Sequence, residues 1–384
     1  MSLELPEEIS ILKDMVRRFV ENEVEPLGDV IEQGAAIPHE LVQKAKELGF
    51  FGLTIPEAYG GSGIGPLGHA VVREELARTN MGFGSLFLLN NGIGSRGILY
   101  QGNKQQKQKY LPKLARGDMI ACFALTEPDA GSDAAAIKTT AERQGDHYVI
   151  NGTKQFITNG PVADVATVIV VTDKKLGARG GISAILVDKG TEGFLQGKSE
   201  KKMGWHGSPT SSLIFEDCRV PAENLLGELG RGFAVAMNTL AFGRLGVAAT
   251  ALGAAQKVFE MACDYAGQRV AFGKPIGKQQ FIQGMIADMA TEIWAARLMV
   301  YSLAKDMEAG LERNVEASMA KVFATEVAGR AADANVQIHG GMGYMSEHPA
   351  ERFYRDVRLL RIVEGTSEIQ RTVIARKFLS DKVK

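Results

Sequence analysis

Cysteine is scarce in this chain. Its 384 residues hold three, Cys122, Cys218 and Cys263, and no two have the spacing of a metal or redox pair. That excludes a disulfide-stapled fold and fits a reducing compartment. The six histidines are scattered without a ligand pattern, so no metal is expected. An excess of one charge sign is also missing, since 44 Lys and Arg against 45 Asp and Glu leave a net −1. Such a balance argues against a general nucleic-acid or membrane-surface binder, while a local basic pocket for an anion stays open. No apolar run reaches about 18 residues, because Arg231 and Arg244 bracket the most hydrophobic region, so no bilayer span is expected. The N-terminal stretch mixes acidic and basic residues on an amphipathic pattern, unlike a signal peptide. Internal repeats and low-complexity segments are absent too.

What is present is an ordinary globular composition, 45 % hydrophobic and 23 % charged, long enough for two or three cores. Ile9, Leu12, Val16, Phe19 and Val20 make a helical stripe between Pro6 and Pro26, and a second helix follows Pro38 and stops at Gly49. Residues 60–68 are too rich in glycine for an element. Helical spacing returns over 70–78, about 85–100, and 105–115. After Gly117 the texture changes to short β-type runs at 120–125, 147–150, 155–158, 165–172, 182–187 and 212–215, with Asn151-Gly152 as a hairpin signal. Long helical patterns resume from Gly232 to about Gly267, then over 278–309, 315–336 and from Ser367. The chain therefore predicts an α+β protein: an N-terminal helical domain (1–118), a middle β-barrel-like domain (119–228) and a C-terminal four-helix bundle (229–384).

One stretch carries a chemical suggestion. Residues 360–371 read as an extended entry, a sharp turn at Gly365, and a helix whose start is marked by the capping-box spacing of Ser367 and Gln370. Ile369, Val373, Ile374 and Phe378 would form that helix's buried face. Glu364 is left at the helix mouth, flanked by Ile362 and Val363. It could simply enjoy the positive helix end, worth about 0.3–1 kcal/mol. Alternatively, apolar neighbours raise its pKa and make it a base beside a carbonyl.

Two further segments bear on that choice: Leu125 Thr126 Glu127 Pro128 Asp129 Ala130 Gly131 Ser132 Asp133, and Lys154 Gln155 Phe156 Ile157 Thr158 Asn159 Gly160. Alone they read as a strand-to-loop turn and a half-buried strand, on which Phe156 and Thr158 share one face. Together with the 362–370 turn, in this order, they resemble the acyl-CoA dehydrogenase family over essentially the whole chain. The resemblance implies FAD as cofactor, with Phe123, Leu125, Thr126, Ser132, Phe156 and Thr158 along the flavin and Thr366 and Glu368 near it. Many relatives have tryptophan where this chain has Phe156, which keeps an apolar lid and loses an indole donor. The resemblance also sets Arg269, Phe272, Gln280, Gln337 and Gly341 against the adenine-diphosphate half of an FAD held by a neighbouring subunit. By residue type alone those segments are solvated or interhelical turns, although an arginine fork suits a pyrophosphate. His339, in the same region, reads as a packing residue.

The resemblance further implies an acyl-CoA substrate bound by Ser132, Arg244 and Gly365, with Glu364 removing the α proton. The Glu364 N–H and a ribityl hydroxyl would polarise the thioester carbonyl. Some relatives place the glutamate where this chain has Gly243, so Glu364 has no rival. A homotetramer, an electron-transfer flavoprotein as electron acceptor, and a cytoplasmic or, in a eukaryote, mitochondrial-matrix location are implied as well. An acyl-CoA oxidase, an enoyl-CoA reductase and a non-catalytic scaffold on the same fold remain alternatives. For the acyl group, the helix near 84–100 presents Gly84 where dicarboxylate-specific relatives carry arginine. Asn90 and Asn91 are candidates for the pocket floor. The expectation is a neutral, short, branched or cyclic acyl group.

Overall fold

The computed structural model describes residues 4–34, 36–380 and 382; the outermost residues of the first and last predicted domains lie outside these. Seven helices form the N-terminal domain: α1 (Glu7–Phe19), α2 (Gly28–Gly34), α3 (His39–Glu47), α4 (Pro66–Leu76), α5 (Met81–Asn91), α6 (Ile93–Gln101) and α7 (Lys104–Arg116). The stripe on α1 continues through a π turn at Val20–Val24, which keeps Val16, Phe19, Val20 and Val24 inside. The glycine-rich loop ends earlier than the sequence suggests, because Pro66 starts α4 at a position where its missing N–H costs nothing. The single helix expected over 85–100 is two. Gly92, at φ −114° and ψ −121°, breaks it into α5 and α6.

The middle domain is one curled, seven-stranded sheet: β1 (Ala121–Ala124), β2 (Thr140–Gln144), β3 (His147–Thr158), β4 (Val165–Val171), β5 (Ile182–Asp188), β6 (Phe194–Gln196) and β7 (Thr210–Pro221). Its order is β1-β4-β2-β3-β7-β6, with β5 on the other side of β4. Strands β4 and β5 read as continuous apolar runs because both faces are covered. Val165, Ile169, Ile182, Ala184 and Leu186 face a core shared with helices, while Ala166, Val168, Val170, Ile185 and Val187 face the sheet interior. The hairpin expected at Asn151-Gly152 is not there. Those residues sit inside β3 at a bulge, where Asn151 bonds Asp217 of β7 through both side-chain atoms. The chain reverses instead at Gly145, φ 61°, between β2 and β3.

The C-terminal domain holds α8 (Gly232–Gln268), a small hairpin of β8 (Val270–Ala271) and β9 (Lys274–Pro275), then α9 (Gln280–Glu308), α10 (Asn314–His339), α11 (Pro349–Leu360) and α12 (Ser367–Leu379). The three long helices α8, α9 and α10, with the shorter α12 on α10, make the expected bundle. Helix α11 was not foreseen: its arginines mask an apolar spacing of Phe353, Val357 and Leu360. It also corrects the expected extended entry to Glu364, which is the end of a helix followed by a turn. Helix α8 is long and apolar enough to cross a membrane by length and composition, but 78 % of that window is buried among α4, α9 and α10.

A buried carboxylate pair fixes the N-terminal helices to the bundle. Glu74 on α4 accepts from Tyr301 (2.6 Å) and Arg297 (3.1 Å) of α9. Glu75 accepts a bidentate fork from Arg17 of α1 at 2.9 Å and lies 3.5 Å from Arg78. Glu75→Ala leaves Arg17 and Arg78 beside a hole and is expected to cost about 3 kcal/mol. Urea unfolding at fixed protein concentration checks this; a loss under about 1 kcal/mol would mean that water replaces the pair.

Candidate active site

Glu364 stands in a left-handed backbone conformation, φ 54°, followed by Gly365 at φ 95°. A non-glycine residue in that region is strained by roughly 1–2 kcal/mol and persists only where its surroundings dictate it. The surroundings are visible. Lys321 Nζ on α10 donates to the Gly365 carbonyl at 2.9 Å. Gln370 Nε2 donates to the carbonyls of Glu364 (3.0 Å) and Gly365 (3.1 Å). Thr366 caps α12 by accepting from the Ile369 N–H, so the cap lies one residue before the expected Ser367, and Gln370 serves the turn rather than a capping box. The predicted apolar face of α12 is also corrected. Among its residues Ser367 and Gln370 are buried, Ile369, Val373 and Ile374 are half-covered, and Phe378 is 59 % exposed, because α10 covers one side only.

This turn throws the Glu364 carboxylate against α8. A β-carbon added at Gly243 would overlap Oε2, so the carboxylate fills the room that the missing side chain leaves. Oε2 is enclosed and has no hydrogen-bond partner. Burial raises the Glu364 pKa from its ordinary value, while Arg73, Arg244 and Lys321 pull against it. Burial in turn holds Lys321 down to about 8. The site thus pairs one carboxyl that resists ionisation with cations that can stabilise negative charge beside it.

A second surface lies on the middle domain. A clamp fixes it: buried Lys154 donates to the Leu125 carbonyl (3.1 Å) and to Glu127 (2.7 Å), and Glu127 also accepts from the N–H groups of Lys138 and Thr139. Gln155 N–H donates to the Thr126 carbonyl at 2.8 Å, which joins the two motifs. Phe156 sits at a β3 bulge with φ 57° and is 66 % exposed, while Ile157 points into the core. Thr126 and Thr158 are half-buried, Phe123 and Leu125 are nearly covered, and Ser132 is exposed. A bare aromatic on a strand that is joined to the Thr126 turn and carries Thr158 is a fitting seat for a flat, partly polar ring.

The remaining candidates are not joined to this surface within the chain. Arg269, Phe272, Gln280, Gln337 and Gly341 are all exposed around the α8–α9 hairpin and the end of α10, and Phe272 is 94 % exposed at φ 52°. Among the described residues no hydrogen bond, ion pair or ring contact links them to Thr126, Phe156 or Thr158. His339 stacks on Tyr265 at 4.2 Å and bonds the Asn335 carbonyl, as a packing residue would. Glu368 is exposed in the first turn of α12. Arg244 projects from α8, and its Nε is buried without a partner.

Asn90 and Asn91 do not line a pocket. Asn90 bonds the Leu114 and Met119 carbonyls and the Ala121 N–H; Asn91 bonds the Phe50 and Phe87 carbonyls and the Thr54 N–H. Both amides stitch loop to helix and have nothing left for a ligand. At Gly84 an added β-carbon would meet Leu88 and Leu76, so that position reports on packing and says nothing about an acyl group's charge. Sequence reasoning missed Lys321 and Arg73, and gave Gln370 to a capping box where it serves the turn. The available signal was a cation inside an apolar or small-residue run: Lys321 after Ala317-Ser318-Met319-Ala320, and Arg73 after Ala70-Val71-Val72.

Residues 6–118, 122–218 and 230–379 match the family descriptions "Acyl-CoA dehydrogenase, N-terminal domain", "middle domain" and "C-terminal domain" respectively. The chain is 45 % identical over 378 residues to the human "Short-chain specific acyl-CoA dehydrogenase, mitochondrial", covering 98 % of this chain and 92 % of that one. It is 45 % identical over 381 residues to "Acryloyl-CoA reductase (NADH)" of Anaerotignum propionicum, covering 99 % and 96 %. A solved structure titled for the electron transferring flavoprotein of Acidaminococcus fermentans contains a similar chain, with TM-score 0.95, 44 % identity, and coverage of 99 % and 100 %.

The geometry at Glu364 makes a titration prediction. Its native pKa is raised, so the carboxyl favours the folded state below its unfolded pKa, and that contribution is lost as pH rises through the native value. Glu364→Gln is therefore expected to gain stability relative to the parent on going from pH 4 to pH 8. Lys321→Met removes a cation and should move the Glu364 pKa further up. Infrared difference titration against Glu364→Gln reads both; a native pKa at or below about 4.3 would contradict the burial argument.

Proposed function

Because the chain belongs to the acyl-CoA dehydrogenase family, we propose that Glu364 is the base that removes the α proton of a bound acyl-CoA thioester. The enclosed, unpartnered carboxylate over Gly243 carries this reading. A proton α to a thioester is weakly acidic, so the base needs a raised pKa and the carbonyl oxygen needs donors for the enolate charge. Burial supplies the first. For the second, the Glu364 N–H is the backbone candidate, at the head of a turn whose next two carbonyls are held by Lys321 and Gln370. Arg244 would meet the coenzyme A portion.

The chain is a flavin-dependent oxidoreductase and its cofactor is FAD. Bound FAD supplies the acceptor for the β hydrogen as hydride. Phe156, Thr158, Thr126, Phe123, Leu125 and Ser132 would hold the flavin, and the exposure of Phe156 and Ser132 fits that task. Thr366 and Glu368 would lie near it. Arg269, Phe272, Gln280, Gln337 and Gly341 would hold the adenine-diphosphate half from a neighbouring subunit, in a dimer of dimers. Their complete exposure in one chain favours a second copy there. Electrons would leave to an electron-transfer flavoprotein, the partner type named in a neighbour's title and in a relative's description. The same residues would run the reverse reaction. The name of the Anaerotignum propionicum relative makes enoyl-CoA reduction the second reading. Turnover with an artificial acceptor, compared with turnover from reduced donors and with oxygen present, separates the two from an oxidase.

Two variants test this. Glu364→Gln is expected to purify yellow and folded, with anaerobic bleaching of the flavin by acyl-CoA slowed by at least about 1,000-fold. Bleaching at the parent rate would assign the base elsewhere. Arg269→Ala is expected to lose FAD on dilution and to dissociate as it does so, with the β-sheet spectrum unchanged. A holoprotein that sediments as a monomer would exclude a cofactor shared between subunits.

A further inference from the structure

Next to Glu364 the protein holds more positive charge than it neutralises. Arg73 leaves α4 and enters the gap between α5 and α8. A β-carbon added at Gly246 would lie 2.7 Å from its Nη1, and one at Gly92 would lie 3.7 Å from its Nη2. Gly243 and Gly246 are three residues apart on α8, so the Glu364 carboxylate and the Arg73 guanidinium lie over neighbouring places on one helix face. Arg73 Nε is buried without a partner, and Nη2 reaches only the Leu88 carbonyl, at 3.4 Å. Among the described residues no carboxylate bonds it, and the one whose charge it feels is that of Glu364. The arginines packed elsewhere against α4 behave otherwise: Arg17, Arg78 and Arg297 each bond a glutamate at 2.6–3.2 Å.

A second guanidinium closes the same region. Arg96 of α6 lies 3.6 Å from the centre of the Phe242 ring and 4.5 Å from that of Tyr100, again with no carboxylate partner. Phe242, the residue before Gly243, also stacks on buried His69 at 4.9 Å. His69 is held neutral by burial and by the charges of Arg73 and Arg96, so it does not compete for an anion as a third cation. Arginine does not deprotonate in proteins, and an enclosed guanidinium with free donors is costly unless a ligand completes it.

We propose that Arg73, backed by Arg96, binds an acid group at the far end of the acyl chain, so that the substrate is the CoA thioester of a short dicarboxylic acid. This deepens the reading of Glu364 as base and rests on it. The α carbon must sit at Glu364 while the distal carboxylate meets the Arg73 fork. Side chains over positions three apart on a helix are about 5–6 Å from each other, a span that suits a diacid of about four to five carbons. The expectation of a neutral acyl group came from Gly84, whose space belongs to Leu88 and Leu76; the cations arrive from α4 and α6 instead.

The test compares butyryl-CoA, succinyl-CoA and glutaryl-CoA on the FAD-loaded protein. The parent is expected to favour one of the two diacid thioesters over butyryl-CoA by about 100-fold in kcat/KM. Arg73→Met should abolish that preference through KM and retain its FAD spectrum, while the lost cation shifts kcat on all three thioesters alike through the Glu364 pKa. Arg73→Lys should restore part of the preference. Calorimetry on Glu364→Gln, where no proton moves, should show the diacid thioester bound about 100-fold tighter than in Glu364→Gln/Arg73→Met. A parent preference for butyryl-CoA over both diacids, or an equal loss on all three thioesters in Arg73→Met, overturns the proposal. Bleaching by none of the thioesters would instead overturn the role of Glu364, and tighter diacid binding in calorimetry would still support Arg73.

Discussion

Everything at the centre of this protein depends on one carboxylate occupying the space of a missing side chain. Glu364 reaches α8 only because residue 243 has no β-carbon, and it points there only because its backbone is held left-handed. Neither condition is local to the 364 turn. The first belongs to the most buried helix of the bundle, and the second to Lys321 on α10 and Gln370 on α12. Three helices therefore meet at one strained turn: α10 and α12 hold its carbonyls, and α8 leaves the space for its carboxylate.

The same logic of small, fully bonded polar contacts recurs wherever domains join. Asn90 and Asn91 fix the end of α5 to the loop at 50–54 and to the start of β1. Glu127 and Lys154 fix the 126–139 loop to β3. Trp205, in the loop before β7, donates through both of its nitrogens to Asp356 on α11, at 2.5 and 2.9 Å. Each contact pairs a buried polar group completely or almost so, and that is the condition under which such groups specify a geometry instead of weakening it. Arg73 and Arg96 break the pattern. Neither has a carboxylate bonded to it among the described residues, unlike Arg17, Arg78 and Arg297.

Composition and periodicity were enough for the three-part architecture, because helical and strand textures change sharply near Gly117 and again near Gly232. Short elements were lost where local signals were weak or misleading. Helix α11 hid behind its arginines, β2 and β6 were too short, and Asn151-Gly152 mimicked a hairpin because a bulge also uses glycine. Glu364 was legible because turn chemistry and apolar neighbours surround it in the sequence itself. Its supporting cations were not, since Arg73, Lys321 and Arg244 approach from other helices and only the fold brings them together. Asn90 and Asn91 were misread for a related reason: polar residues in an apolar helix look like ligands until their backbone partners, 24 to 41 residues distant in several cases, are seen.

The surface of a single chain carries the last consequence. Helices α8 and α10 are wrapped by their neighbours, but α9 exposes Phe281 at 88 % and Trp294 at 58 %, and α12 exposes Phe378. Phe272 lies at the tip of the β8–β9 hairpin, three residues after the exposed Arg269 and nine before Phe281. Aromatic and arginine side chains standing together outside a well-packed bundle have the composition of an interface core, not of a solvated face. Removing that many bare rings from water favours association. The proposed dimer of dimers follows from the same physics as the site. The middle domain offers a bare aromatic with flanking hydroxyls, the hairpin offers a bare aromatic with a flanking guanidinium, and neither finds a partner within its own chain.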